Sequence, residues 1–135
     1  MTRYIFRYTP EPVGSQIINR PKITASLCST IGEWHVFRAY VDRGADVSLF
    51  TRDDAELLGL KLKEGQYKPI IGIGRTLIPT YMHVVKMRIG DSELDVTVAF
   101  ADSDEVPRLL GRAGIFTSFK ITFSEQELEI TFEKT

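Results

Sequence analysis

The sequence predicts an all-β barrel or sandwich with two short helices, one domain per chain. Three observations carry that expectation: apolar and polar residues alternate with period two along several runs, polar turns separate paired runs, and helical signals are confined to two short stretches.

In chain order, "RYIFRY", "KITASLC" and "HVFRAYV" read as strands, and the last leads directly into Asp42. "TRDDAELLGL" reads as a helix: Thr51 suits the N-cap, Asp53 and Asp54 complement the dipole of the first turn, and Gly59 suits the stop. "PIIGIGRTLIP" is a glycine-bearing hairpin candidate. In "HVVKMRI", Val85, Met87 and Ile89 alternate with Lys86 and Arg88; after the turn Gly90-Asp91-Ser92, Leu94, Val96, Val98 and Phe100 share one face. "GRAGIFTSF" has room for the second short helix. "KITFSEQELEITF" forms another hairpin, with Ile121 and Phe123 before a polar turn and Leu128, Ile130 and Phe132 after it.

A chain of 135 residues fits one domain, and at that size about two-thirds of the unfolded surface is buried on folding. It shows no repeat, low-complexity tract or linker. The single cysteine, Cys28, has no internal partner, which suits a reducing compartment and a small apolar role in a strand. Arginines at positions 3 and 7, followed by two prolines, deny the N-terminus a signal peptide, and no apolar run reaches the length of a membrane span. A soluble, cytoplasmic protein without a membrane partner is expected. Seventeen basic and eighteen acidic side chains leave a net charge of -1 with no basic stretch, so nucleic acid is not an expected partner.

Other chemistry is poorly served. "GIGRTL" lacks the third glycine of a dinucleotide fingerprint and runs into Pro79 and a strand instead of a helix. His35 and His83 with one cysteine do not make a zinc set, and "ADSDEVP" lacks the spacing and glycine of a calcium loop. Trp34 and Tyr81 read as packing residues.

What remains is ordered: a strand ending in "VDRGAD", the hairpin around Gly72, Ile73 and Gly74, and then "PRLLGRAGIFTSF". From about Pro21 to the C-terminus this series resembles the retropepsin-like aspartic proteases. That family shows a strand, Asp-Thr/Ser-Gly-Ala, a short helix, a glycine-containing flap, and later an apolar pair followed by Gly-Arg. The resemblance implies an acid-protease barrel over residues 21–135, with residues 1–20 an N-terminal extension and strand of the same domain. It also implies that Asp42 is catalytic, that Gly44, Ala45 and Asp46 hold peptide backbone, and that Gly72, Ile73 and Gly74 form a covering flap tip. Arg112 would fix the loop by a bidentate contact to Asp46. No cofactor is implied.

Hydrolysis of a peptide bond without a metal needs one group to activate water and another to protonate the departing amine. Two adjoining carboxyls sharing one proton fill both roles. The chain carries a single copy of the Asp-x-Gly motif, so a dyad requires a homodimer that brings two Asp42 side chains together. Arg43 departs from the family, where a threonine or serine hydroxyl reaches the partner's loop across the axis. Guanidinium groups turned toward the axis would favour ionisation of both carboxyls and weaken dimer and catalysis together; a side chain turned outward, or paired with a partner's acid, would spare the loop. The expected function is an aspartic endopeptidase acting on a peptide or protein substrate, and the alternative is a non-catalytic module of the same fold that binds extended peptides or a partner protein.

Overall fold

The computed structural model describes residues 2–135, with Ile73 described through its backbone alone. Its strands are β1 (Arg3–Arg7), β2 (Thr9–Val13), β3 (Gln16–Arg20), β4 (Lys22–Cys28), β5 (Trp34–Val41), β6 (Ser48–Phe50), β7 (Gln66–Tyr67), β8 (Ile70–Ile71), β9 (Leu77–Ile78), β10 (Thr80–Ile89), β11 (Ser92–Ala101), β12 (Leu109–Leu110), β13 (Phe119–Ser124) and β14 (Glu129–Lys134). Helix α1 (Arg52–Leu57) follows β6.

The main sheet runs β11-β6-β12-β5-β4-β10-β7, and β10 also pairs with β11. That extra pairing closes six of the strands into a barrel and leaves β7 outside it. The hairpins expected from alternation are present: β10 and β11 pair from Thr80↔Ala101 to Ile89↔Ser92, and β13 pairs with β14 from Phe119↔Lys134 to Ser124↔Glu129. Alternation worked because one face of each strand is buried: Val85, Met87, Ile89, Val96, Val98 and Phe100 all lie in the core. β1 adds to β14, and the three-stranded sheet β1-β14-β13 covers one side of the barrel. Within that sheet Phe132 makes edge-to-face contacts with Phe6 and Phe119, and Phe119, Ile121, Ile130 and Phe132 join the barrel's core cluster.

α1 is capped as its sequence predicts. Thr51 accepts from the Asp54 backbone N–H, and the Asp54 carboxylate accepts in return from the Thr51 N–H, completing a capping box. The expected second helix is not formed. Residues 112–118 make successive turns, in which the Ile115 and Phe116 N–H groups both bond to the Arg112 carbonyl. Gly114, at φ +77°, takes the chain out of helical geometry there. A further hairpin, β2 with β3, was not expected, because Pro10 and Pro12 each remove a backbone donor. Since they occupy alternate positions, Thr9, Glu11 and Val13 remain for the ladder. Among the described residues, no helix is long and apolar enough to cross a membrane.

Candidate active site

Asp42 is set by the end of β5. The Val41 N–H donates to the Pro21 carbonyl at 2.8 Å and the Asp42 N–H to the Leu110 carbonyl at 3.0 Å, so the strand is gripped on both sides where it stops. The chain then turns. One Asp42 carboxylate oxygen accepts from the Gly44 N–H at 2.9 Å, and the Asp42 carbonyl accepts from the Ala45 N–H at 3.2 Å. The loop therefore occupies one carboxylate oxygen, and the other has no protein donor among the described residues. Asp42 is half-buried, while Arg43 at the corner of the turn is exposed and in no ion pair among the described residues.

The loop is anchored from beneath by residues 110–113. The Arg112 N–H donates to the Ala45 carbonyl at 2.8 Å, the Ala113 N–H to the Asp46 carbonyl at 2.9 Å, and the Gly111 N–H to the buried Ser48 hydroxyl at 3.0 Å. Gly111 is required by this approach, since a Cβ there would overlap the Val47 carbonyl group. The late Gly-Arg element thus supports the Asp42 loop through its main chain. The expected carboxylate contact is corrected: Asp46 and Arg112 are both exposed, and among the described residues no ion pair joins them. The bidentate contact lies elsewhere. Arg108 donates through Nε and Nη2 to the two oxygens of Asp54 at 2.8 and 3.0 Å, tying β12 to α1. Asp54 was read only as a first-turn acid, and nothing local in the sequence marks its partner 54 residues away.

The glycine-bearing segment forms a hairpin in which β8 pairs with β9, with Ile70 opposite Ile78 and Ile71 opposite Leu77. Its tip is a single tight turn over Ile73–Arg75. Gly72 precedes that turn, and Gly74 and Arg75 both have positive φ, at +77° and +63°. For arginine this conformation costs about 1 kcal/mol. Ile73 is at the tip through its backbone, and its side chain is outside the described residues. Ile71 and Leu77 are 70% and 56% exposed on the same hairpin.

Between loop and hairpin lies a groove of about 450 Å³. Residues 44–47 line it on the loop side and residues 68–71 on the hairpin side, with Leu49, Met82 and Leu109 as its floor. Gly44, Ala45 and Asp46 are therefore brought together with the hairpin's base, and the groove begins two residues beyond Asp42. Lys68, Met82 and Leu109 were missed in sequence, being distant in the chain from the Asp-x-Gly motif. The chemistry offered is a strip of apolar side chains beside a carboxylate with one unoccupied oxygen.

The chain resembles known proteins in the same region. A family profile described as aspartyl protease matches residues 29–113, which span the Asp42 loop, α1, the hairpin and the Leu-Leu-Gly-Arg element. A retropepsin-like aspartic protease from Rickettsia conorii superposes with a TM-score of 0.64 at 19% identity, over 97% of this chain and 89% of that one. EIAV protease complexed with the inhibitor HBY-793 superposes with a TM-score of 0.53 at 22% identity, over 69% of this chain and 82% of that one. No curated protein matches the sequence.

Proposed function

Because the chain belongs to the aspartyl protease family and has the retropepsin-like fold, we propose that it is an aspartic endopeptidase whose site is completed by a second copy of itself. In that assembly two Asp42 carboxyls share one proton. The ionised one takes a proton from water as the water oxygen attacks the peptide carbonyl carbon, and the protonated one supplies the proton that leaves with the amine. Gly44, Ala45 and Asp46 hold an extended peptide along the groove, and the hairpin around residues 72–74 covers it.

The observation that carries this reading is the juxtaposition of the Asp42 loop with the β8–β9 hairpin across one apolar groove. The exposed Ile71 and Leu77 add to it, because a bound peptide or the partner's hairpin would remove both from water. The test is cleavage of a casein-derived peptide mixture at mildly acidic pH. Asp42→Asn should lower the rate by about a thousandfold or more, and cleavage that survives the substitution would rule out the dyad.

Arg43 favours the second reading, a module that binds extended peptides without cutting them. A guanidinium near two carboxyls opposes the singly protonated state that the mechanism needs. Arg43→Thr should therefore raise both dimer affinity, measured by sedimentation, and peptidase rate. Identical sedimentation and identical rates for the two forms would remove Arg43 as the source of weakness. Peptide binding without cleavage by either form would support the module.

A further inference from the structure

The groove is apolar along most of its length, yet one cation stands on its wall. Lys68 lines it at the base of the hairpin, beside Pro69 and Ile70, and is exposed. Among the described residues Lys68 enters no ion pair, whereas Lys22 and Lys86 face carboxylates at 3.8 and 3.6 Å. Its backbone N–H and carbonyl are both held by Thr80. The Lys68 N–H donates to the Thr80 carbonyl at 2.9 Å, and the fully buried Thr80 hydroxyl donates to the Lys68 carbonyl. A fixed Cα with an uncommitted ammonium at a groove wall is the arrangement of a specificity contact, since little backbone ordering remains to be done when an anion arrives.

We propose that Lys68 selects peptides carrying an acidic side chain a short distance along the chain from the bulky apolar residue that fills the groove. The proposal rests on the reading of this groove as the peptide site. Apolar contact with Leu49, Met82 and Leu109 supplies most of the affinity and little discrimination, whereas one charge contact distinguishes Glu from Gln. Asp46 lines the opposite wall, and its charge repels an acidic side chain there, so the preference has a direction along the bound strand. In a two-fold dimer the contact is duplicated, and an acidic residue is favoured on each side of the cleaved bond.

The experiment uses synthetic peptides with a central Leu-Phe pair and either Glu or Gln scanned through the flanking positions. Cleavage is measured with the native chain, and binding with the Asp42→Asn form by fluorescence polarisation. At one flanking position on each side, Glu should be preferred about fivefold, falling as salt is raised. Lys68→Gln should bring the Glu/Gln ratio close to one, and Lys68→Glu should favour Lys at that position. A Glu/Gln ratio of one in the native chain, or a preference unchanged in Lys68→Gln, would overturn the proposal. Binding selectivity that depends on Lys68 without cleavage would overturn the endopeptidase reading while leaving this one standing. A cleaving enzyme indifferent to Glu would do the reverse.

Discussion

Two apolar clusters share the strands of this barrel, and they are closed to different degrees. The main one contains Phe50, Phe100, Leu27 and Met87, all fully buried. The smaller one has Leu49, Ala99 and Ala101 buried, with Val47, Ile70, Ile78, Met82, Val106 and Leu109 packed around them and still partly in water. β6 and β11 feed both, because successive side chains point to opposite faces: Leu49 and Ala99 go to one cluster, Phe50 and Phe100 to the other. The first cluster is finished by this chain alone. The second is the floor of the groove, and its unfinished half is where the proposed peptide would add apolar contact.

The largest effect should come from breaking the closed side. Phe50 stacks edge-to-face on Phe37 at 5.4 Å and lies 6.2 Å from Phe100, so Phe50→Ala leaves a cavity in the middle of the barrel. The expected cost is about 3–5 kcal/mol, a large share of the 5–15 kcal/mol typical of a domain. Urea unfolding measures it; a loss below about 1 kcal/mol would mean that the two clusters do not differ as described.

Arg108→Ala should rank next, since it acts where the two regions meet. The buried Asp54 carboxylate would lose both guanidinium donors and keep only the Thr51 N–H, at a cost of about 3 kcal/mol. The hydrogen bond from Arg108 to Asp54 also raises the guanidinium pKa, so the Arg108 side of the contact stays charged at any working pH. Asp54→Asn in the same background should recover part of the loss, because it removes the stranded charge. Equal stability of the single and double variants would show that the contact contributes only packing.

The closed cluster was legible in the sequence for the same reason that it is stable. Val85, Met87, Ile89, Val96 and Val98 alternate with polar residues because one face meets the core and the other meets water. The open cluster hides from that reading. From Val98 to Ala101 every residue of β11 is buried, one face in each cluster, and the alternation disappears. The Asp42 loop was legible through the order of its motifs, but Lys68, Met82 and Leu109 reach the groove only through pairings that no local pattern encodes. The β2–β3 hairpin was masked by Pro10 and Pro12, and a bidentate contact was expected between Arg112 and Asp46 whereas the structure has one between Arg108 and Asp54, because motif order locates a segment and not the side chains that will pair.

The smallest effect on stability should come from the open side, and it separates the roles of the clusters most directly. Met82 is half-buried, lines the groove and belongs to the smaller cluster. Met82→Ala removes contacts that are only partly withdrawn from water, so unfolding should shift by about 1 kcal/mol or less. Peptide affinity should fall severalfold, because the ligand loses the surface on which its apolar side chain rests. In an active enzyme that loss enters KM and leaves kcat nearly unchanged, since the contact is the same in ground and transition states. Phe50→Ala should do the opposite, lowering the folded fraction while the molecules that remain folded keep their KM. If Met82→Ala instead destabilised the fold as much as Phe50→Ala and left peptide affinity untouched, the groove floor would be ordinary core, and its partial exposure would have no bearing on binding.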